Sequence, residues 1–561
     1  MKRILVCLAL LHVNAVAQQN ELLQEFAREF FTWRAVTQPA SGDDILRVQR
    51  PDGWRPDYSK QAVEQYTKEY KAFKRRLESI PTHGWTRSDS VDFLLLRSAV
   101  ERVNWELNVL RLHRRSPDFY LHQTLGALYE LLLIHSEMTD TRARNIIARI
   151  NSFPATLEHA RENLLEPVAA FADIALVSGR DSPARLRQCA AALKELMKPA
   201  FHAGLEAAVA KGARALEEYL EWIAEKRKTM SNDYSVGRAG YAYFLKQVAL
   251  LPYTPEQLLM MGELEWNRSV AFDMYERMRN ASVPPARLFS SSDEQIAQSR
   301  QDEAAIRRFL EEKNIMTVPG WVRHYINIKI PQHIAPFAHM GVVDDLTSET
   351  RLDEDGVSYI PEPAPDLSFF RLASAQDPRP LIVHEGVPGH YFQLVRSWAN
   401  DNPIRRRFFD SGPIEGIGFY VEELMLQFGL FDDRPRTREI IYRFMRLRAL
   451  RVDVDINLAL GDYTIPQAAK YLAETVPMDY ETALEEAGFF ALTPGQAISY
   501  QIGKLQILGL IAEARIRQGD KFDLRDYHDY MMENGNVPIA LQRWEYLGLA
   551  EESAKLWPGT D

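Results

Sequence analysis

Cysteine is almost absent from this chain of 561 residues, which contains two. Cys7 lies in an apolar N-terminal stretch that we expect to be removed, so Cys189 stands alone and no internal disulfide can form. We expect Cys189 to be a small buried apolar residue, and the alternative is a reactive thiol. Without disulfides, stability must come from the hydrophobic core.

A basic surface is lacking as well, because 67 lysine and arginine residues face 77 aspartate and glutamate residues and the formal net charge is −10. Such a surface repels nucleic acid and anionic lipid, so we expect no nucleic-acid partner. After the N-terminus, no segment approaches the roughly 18 apolar residues in a row that cross a bilayer. We therefore expect no membrane span in the mature chain.

The N-terminus has the order of a secretory signal. Lys2 and Arg3 precede an apolar stretch, and small residues follow at Ala15 and Ala17. We predict a signal peptide over residues 1–17 and export of the mature chain, residues 18–561, to the periplasm or the medium. The alternative is a first core helix. The position of Cys7 inside the apolar stretch, away from a cleavage site, argues against a lipid anchor.

The remaining sequence is dominated by helical periodicity. From Glu21 to about Leu310, and again from residue 381 to residue 549, apolar residues recur at intervals of three and four, as on amphipathic helices. Between these regions, the segment that starts at Tyr325 alternates polar and apolar residues, as a half-buried strand does, and a proline-rich passage follows. The pattern predicts a mostly α-helical fold with a small β-sheet element around residues 320–375.

The segment His-Glu-Gly-Val-Pro-Gly-His, from His384 to His390, has the residue types of a metal site. A common zinc hydrolase motif places two histidines four residues apart on a helix, with a glutamate after the first. The spacing of six found here would separate the imidazoles by about 9 Å along a straight helix. Because Pro388 lacks an N–H and Gly389 permits unusual backbone angles, we expect a wide turn that brings His390 back. The alternative is a plain helix break.

Two glutamates downstream complete the candidate site. Glu415 lies in the first turn of a predicted helix, between small residues that allow another backbone to come close. A carboxylate from a second helix is what a His-His-Glu zinc site requires, and the alternative is a glutamate favoured by the helix dipole alone. Glu422 lies two turns further on nearly the same face. We interpret Glu422 as a group that orients a histidine, and the alternative is a solvated position.

Several short motifs occur in order along the chain. They are Ser116-Pro-Asp-Phe-Tyr, Val236-Gly-Arg-Ala-Gly-Tyr, His384-Glu-Gly-Val-Pro-Gly-His, Glu415-Gly with Tyr420 and Glu422, Arg448-Ala-Leu-Arg-Val, Pro494-Gly-Gln-Ala-Ile-Ser-Tyr-Gln-Ile-Gly and Phe522-Asp-Leu-Arg-Asp-Tyr-His-Asp. In this set the sequence resembles a bacterial family catalogued as domain of unknown function 885. Its members are similar in plan to thimet oligopeptidase and helical carboxypeptidases. The resemblance implies a zinc metallopeptidase in a single helical domain that encloses a deep cleft.

The sequence departs from the family pattern in three places. Tyr391 stands where the family commonly has a second histidine, which leaves His390 as the natural ligand. The segment that starts at Asp455 lacks the glycine and histidine of a family Asp-Thr-Gly-x-His motif, and Phe489-Phe490 replaces an Arg-Tyr pair. If those family residues orient substrate, specificity or rate differs in this chain.

The hypothesis that follows is hydrolysis of a peptide bond at one zinc ion held by His384, His390 and Glu415. Glu385 would be the general base that takes a proton from the attacking water. Tyr500 is the candidate donor to the oxyanion, and the alternative is a tyrosine of the core. Iron in place of zinc is a further alternative, although three ligands beside a glutamate suit a zinc hydrolase better.

Arg448, Arg451 and Lys504 are candidates to bind the terminal carboxylate of a peptide, because a guanidinium engages a carboxylate in bidentate fashion. The alternative for each is a structural ion pair. The resemblance implies short or unfolded peptides as substrates, and we expect action from the C-terminal end. Two other hypotheses are hydrolysis of a non-peptide amide at the same site and a secreted peptide-binding protein without activity. Retention of Glu385 favours the enzyme over the binding protein.

Overall fold

The structure is a computed structural model that describes residues 21–41, 48–476 and 478–557. The predicted signal peptide, residues 1–17, lies outside the described residues. The described chain is mostly α-helical with one small sheet, so the predicted fold class is confirmed. Cys189 is fully buried, as expected of a small core residue.

The N-terminal half is built from helices of varied length. Helix α1 covers residues 21–37. The helices that follow are α2 (Lys60–Glu78), α3 (Arg87–Asn104), α4 (Leu112–Arg115), α5 (Pro117–Leu121), α6 (Ala127–Leu133), α7 (Asp140–Asn151), α8 (Phe153–Asn163), α9 (Ala169–Gly179), α10 (Ser182–Leu196), α11 (His202–Lys226), α12 (Gly237–Tyr243), α13 (Pro255–Arg279) and α14 (Ser292–Glu312). Wider π-helical turns lie at Trp105–Leu110, His122–Gly126 and Phe244–Val248.

A three-stranded sheet lies where the alternating pattern predicts it. Its strands are β1 (Tyr325–Lys329), β2 (Asp344–Asp345) and β3 (Gly356–Ile360), in the order β1-β3-β2. Strand β3 is central, parallel to β1 and antiparallel to β2, with Tyr325 opposite Gly356. Buried Asn327 donates a hydrogen bond of 3.0 Å to Ser299 and so attaches β1 to α14.

The C-terminal half returns to helices and contains the candidate site. These helices are α15 (Phe369–Gln376), α16 (Arg379–Leu381), α17 (His390–Trp398), α18 (Pro403–Arg407), α19 (Ser411–Phe428), α20 (Pro435–Leu460), α21 (Ile465–Thr475), α22 (Tyr480–Leu492), α23 (Ile498–Gln518), α24 (Leu524–Glu533), α25 (Ile539–Leu547) and α26 (Ser553–Leu556). A π-helical turn at Ile382–Gly386 separates α16 from α17. Among the described residues, no helix combines the length and the apolar character that crossing a membrane requires.

Local sequence signals fix several helix ends. Thr86 and Asp89 form a capping box at the start of α3, and Thr254 and Gln257 form another at the start of α13. The side chain of Asp410 accepts a hydrogen bond of 2.9 Å from the backbone N–H of Gly412 and begins α19. These caps satisfy backbone groups that the first helical turn leaves without partners.

Helices α19 and α23 cross in very close contact, because two glycines face each other there. A β-carbon built on Gly416 would lie 2.7 Å from the Cα of Gly503. One built on Gly503 would lie 2.3 Å from the carbonyl oxygen of Gly412. The two backbones therefore touch without intervening side chains, and this contact fixes the separation of the helices that contain Glu415 and Tyr500.

We expect Gly503→Ala to destabilise the protein by about 1–3 kcal/mol, because the new methyl group must push two backbones apart. Gly509→Ala on the same helix is the matched control, since nothing lies within 4 Å of the added carbon. This exposed control should gain about 0.5–1 kcal/mol from helix propensity alone. Urea denaturation followed by circular dichroism measures both changes. Equal effects of the two substitutions would contradict the tight crossing.

Candidate metal centre

The backbone between α16 and α17 bends sharply. The N–H of Val387 donates to the carbonyl of Ile382 at 2.9 Å, a five-residue step that widens the last turn. Val387 is extended, the Val387–Pro388 peptide bond is cis, and α17 starts at His390. A β-carbon on Gly389 would lie 1.8 Å from the carbonyl oxygen of His384, so this position requires glycine. The expected wide turn is present.

The bend brings the two histidines together. The ring centroids of His384 and His390 are 4.6 Å apart and the rings are inclined at 79°. A β-carbon on Gly418 of α19 would lie 2.6 Å from the ring of His390 and 2.9 Å from the ring of His384. The absence of a side chain at Gly418 therefore allows both imidazoles to pack against α19.

Glu415 faces this pair from α19. Its Oε2 atom lies 3.6 Å from Nε2 of His384 and 3.5 Å from Nε2 of His390. One ligand atom from each of the three residues lies within 4.8 Å of the others, and all three residues are buried. Ligands at ~2.0–2.2 Å from a tetrahedral zinc ion would be about 3.3–3.6 Å apart, close to the two distances found here. The three groups could hold one metal ion.

The hydrogen bonding of these groups also fits a cation. Both carboxylate oxygens of Glu415 are buried and accept no hydrogen bond from the described residues. The two imidazole nitrogens at 3.5 and 3.6 Å are the partners of this carboxylate, and they are too far away for normal hydrogen bonds. A coordinated metal ion would compensate the buried negative charge more fully. Two nitrogens and one anionic oxygen are donors that zinc accepts.

The protonation of the site follows from its burial and its charges. Burial acts to raise the pKa of Glu415, but the contacts with His384 and His390 outweigh burial and lower the pKa to about 2. For His384, burial and the charge of Arg448 act to lower the pKa, while Glu415 and Glu422 raise it to about 9. Burial lowers the pKa of His390. A metal ion would therefore have to displace a proton from His384.

Glu422 orients His384. Its Oε1 atom lies 2.6 Å from Nδ1 of His384, and its carboxylate accepts contacts of 2.9 and 3.1 Å from the guanidinium of Arg448. Arg448 also lies 3.3 Å from the same Nδ1. Because the contact with the Glu422 carboxylate is the shorter one, we infer that Nδ1 of His384 carries a proton and faces Glu422. The Nε2 atom of His384 then points to Glu415, which is the orienting role predicted for Glu422.

Glu385 and Tyr500 lie beside the three donors. Glu385 is half-buried within the π-helical turn, and its charge contributes to the raised pKa of His384. The ring of Tyr500 stacks on the imidazole of His384 with centroids 6.3 Å apart and an angle of 14°. Both residues thus lie next to His384.

The three predicted carboxylate binders have different surroundings. Arg451 pairs with Glu486 at 2.6 Å, and its guanidinium lies 4.6 Å from the ring centroid of Tyr500. Lys504 is fully buried and contacts Glu265 and Glu423, both at 2.9 Å. Lys504 therefore joins α13, α19 and α23 through ion pairs. Arg448 and Arg451, in contrast, lie against the ring of Tyr500.

Sequence reasoning missed the role of Asp455. Its buried carboxylate accepts hydrogen bonds from Gly495 N–H at 2.9 Å, from Ala497 N–H at 2.8 Å and from the hydroxyl of Tyr241 at 3.0 Å. Burial raises the pKa of Asp455 to about 7, against the effect of these hydrogen bonds. The contacts fix the loop that precedes α23 and so position Tyr500. The sequence feature that indicates this role is an acidic residue between the apolar residues of a buried helix.

A groove of about 160 Å³ lies next to the starts of α19 and α23. Its lining includes Ser411 and Gln496, which precede Glu415 and Tyr500 by one helical turn. The walls are mostly apolar and are formed by Trp105, Leu110, Phe119, Phe244, Phe409, Phe489 and Leu492. Phe489, one of the departures from the family pattern, adds apolar surface to this groove.

A match to a family model over most of the chain decides which protein family it belongs to. A model for the family described as "Bacterial protein of unknown function (DUF885)" matches residues 40–544. The chain belongs to the DUF885 family. The resemblance noted from the motifs is therefore confirmed. No curated protein matches the sequence.

Two solved structures share the fold of this DUF885 member. A "putative lipoprotein of unknown function" from Shewanella oneidensis is 16% identical, with a TM-score of 0.67 over 88% of this chain and 94% of that chain. A "putative lipoprotein" from Colwellia psychrerythraea is 17% identical, with a TM-score of 0.73 over 95% of this chain and 99% of that chain. At these identities the likeness establishes the fold alone.

We expect the metal-free protein to bind one zinc ion per chain. Glu415→Gln removes the anionic donor and should weaken zinc binding by more than about 100-fold. Loss of a residue that only orients a metal ligand usually weakens binding by ~10–100-fold, so loss of a direct ligand should exceed that effect. Because a proton must leave His384, affinity should rise between about pH 6 and about pH 9. Titration calorimetry and elemental analysis measure affinity and stoichiometry.

His324→Ala is the control for this experiment, since His324 is exposed and pairs with Glu303 at 2.9 Å. It should leave zinc binding unchanged. Undiminished affinity in Glu415→Gln would contradict the assigned ligand set.

Glu422→Gln should weaken zinc binding by about 10–100-fold, because His384 loses the group that orients it. Glu423→Gln is the neighbouring control, since Glu423 contacts Arg268 and Lys504 and not the histidines. The control should unfold at a lower temperature and keep its zinc affinity. Both effects are measured by thermal denaturation and zinc titration, and a reversed pattern would contradict the role of Glu422.

Proposed function

We propose that this protein is a zinc-dependent hydrolase of peptide bonds. The single observation that supports the proposal most strongly is the buried convergence of His384, His390 and Glu415, with a carboxylate that has no other hydrogen-bond donor among the described residues. A binding protein would have no need of such a site together with an adjacent glutamate. Glu385 follows the first histidine directly, as in zinc hydrolases.

His384, His390 and Glu415 would hold the ion, and a bound zinc would acidify a water molecule and polarise the substrate carbonyl. Glu385 would accept a proton from the attacking water and deliver it to the nitrogen of the leaving amine. Tyr500 would donate a hydrogen bond from its hydroxyl to the carbonyl oxygen as negative charge develops there.

The substrates in this proposal are short or unfolded peptides. The apolar groove beside Ser411 and Gln496 would bind an apolar side chain, and Phe489 contributes to that preference. Arg448 and Arg451 are the candidates for a terminal carboxylate, because both lie against the ring of Tyr500. Action as a carboxypeptidase would follow from a salt bridge of either guanidinium with the free C-terminus of the substrate.

The proposed location is outside the cytoplasm. The Shewanella and Colwellia structures are both described by the words "putative lipoprotein", and bacterial lipoproteins are exported. The order of basic, apolar and small residues over residues 1–17 supports the same location for this chain.

Glu385→Gln should keep its zinc and lose about 10²–10⁴-fold in turnover, the usual contribution of a general base. The measurement is digestion of a peptide library followed by mass spectrometry, with zinc content determined on the same sample. Zinc removal by a chelator should abolish activity in the wild type, and added zinc should restore it. Glu221→Gln, an exposed change on α11, is the control and should have wild-type activity.

Two results would contradict the proposal. One is full turnover by Glu385→Gln with bound zinc, which would show that Glu385 is not the general base. The other is a zinc-loaded wild type that cleaves no peptide of the library. Peptides with an amidated C-terminus separate carboxypeptidase action from internal cleavage, because amidation removes the carboxylate that Arg448 or Arg451 would bind.

A further inference from the structure

Helix α13 has an exposed apolar face. One side of the helix is buried, with Gly262 against Val452 of α20. On the opposite side, Leu264 is 64% exposed and Met278 is 69% exposed. Met260, Val270, Met274 and Tyr275 are exposed as well. Single exposed apolar residues are ordinary, but a continuous row of them on one helix marks an interaction surface.

Four of these apolar residues belong to a set of positions with the spacing of a coiled-coil seam. With exposed Asn267 and half-buried Ala271, the seam positions follow each other at intervals of four, three, four, three and four residues: Met260, Leu264, Asn267, Ala271, Met274 and Met278. At about 100° per residue, these six positions fall within a sector of roughly 80°. Alternation of three and four is the pattern by which two helices pack side by side, and one polar seam residue fixes register.

The spacing of the seam positions is symmetric about the midpoint of the seam. When a second copy of α13 runs antiparallel, Met260 lies opposite Met278, Leu264 opposite Met274 and Asn267 opposite Ala271. Every seam position thus meets a seam position of the other copy. This self-complementarity is what a twofold interface between identical chains requires.

The charges beside the seam favour the antiparallel arrangement. Glu263 and Arg277 lie on the same edge of the row, and the antiparallel arrangement places Glu263 opposite Arg277 of the partner subunit. A parallel arrangement would instead bring Glu263 toward Arg268. That guanidinium already contacts Glu265 and Glu423 at 2.8 and 2.7 Å. Arg277 is half exposed, although Asp273 contacts it at 3.0 Å.

The size of the surface is sufficient for a small dimer interface. The exposed apolar residues of α13 present on the order of 600 Å², at the upper end of the ~300–600 Å² patch of a typical monomer. A stable interface buries ~800 Å² on each partner. The flanking residues Glu263 and Arg277 add polar area at the rim, and Asn267 adds polar area within the seam.

We propose that the exposed face of α13 is the interface of a homodimer in which the two α13 helices pack antiparallel about a twofold axis that crosses the seam midway between Asn267 and Ala271. This interface is separate from the candidate metal centre, so its test does not depend on the proposed function.

Sedimentation velocity of the purified protein over a range of concentrations tests the proposal. The wild type should dimerise at micromolar concentration. The variant Leu264→Glu/Met274→Glu places carboxylates at opposed seam positions, so its dissociation constant should rise at least tenfold. Ile516→Glu is the matched control, because Ile516 is 81% exposed on α23, outside the seam. This control should dimerise like the wild type.

Charge reversal tests the orientation of the helices. Glu263→Arg and Arg277→Glu should each weaken the dimer, because each creates a pair of like charges across the seam. The double variant Glu263→Arg/Arg277→Glu restores opposite charges and should recover dimerisation. Both single variants lie on the surface, so their folding can be verified by circular dichroism.

Crosslinking distinguishes the antiparallel from the parallel arrangement of the two α13 helices. In the antiparallel dimer, Leu264→Cys/Met274→Cys should crosslink with a short bismaleimide. Each single cysteine variant should not, because equal positions would lie about 15 Å apart along the axis. In a parallel dimer each single variant would crosslink, and that result would overturn the proposal.

Two further outcomes would also overturn it. One is a wild type that stays monomeric at all accessible concentrations. The other is binding of the monomer to vesicles of phosphatidylethanolamine and phosphatidylglycerol that Leu264→Glu/Met274→Glu abolishes, since α13 would then face a lipid surface.

Discussion

The whole site depends on the approach of two imidazoles and one carboxylate inside the protein. No single regular helix can supply them, because His384 and His390 are too far apart on a straight helix and Glu415 comes from another element. The bend before α17 brings His390 back to His384. The lack of a side chain at Gly418 lets both imidazoles pack against α19, the helix that contains Glu415. Glycine is required where backbone or imidazole atoms would otherwise overlap with a β-carbon.

The second constraint is electrostatic. The region around the site buries many charges, and most of them have partners of opposite sign in the structure. Glu422 is held by Arg448 and His384, and Glu423 by Arg268 and Lys504. Glu415 differs, because it accepts no hydrogen bond from the described residues and lies between two imidazole nitrogens. The proposed cation would be bound between this carboxylate and the two imidazole nitrogens.

Much of this arrangement could be predicted from local sequence. Three-to-four periodicity indicates the helices, alternation indicates β1, and the missing N–H of Pro388 predicts the bend. The partners of Lys504 and Asp455 could not be predicted, because they depend on residues distant in sequence. Lys504 meets Glu265, which lies far upstream on α13. Periodicity also leaves open which apolar faces are covered, and the exposed row on α13 became visible only once the fold placed its neighbours.

In the proposed centre, His384, His390 and Glu415 together bind one metal ion. X-ray absorption spectroscopy at the zinc edge on the loaded protein, combined with anomalous diffraction to locate the ion, tests this binding. We expect nitrogen and oxygen ligands at about 2.0–2.2 Å with the scattering signature of two imidazoles, and one anomalous peak between the three side chains. A shell without imidazole, or a peak elsewhere in the protein, would contradict it.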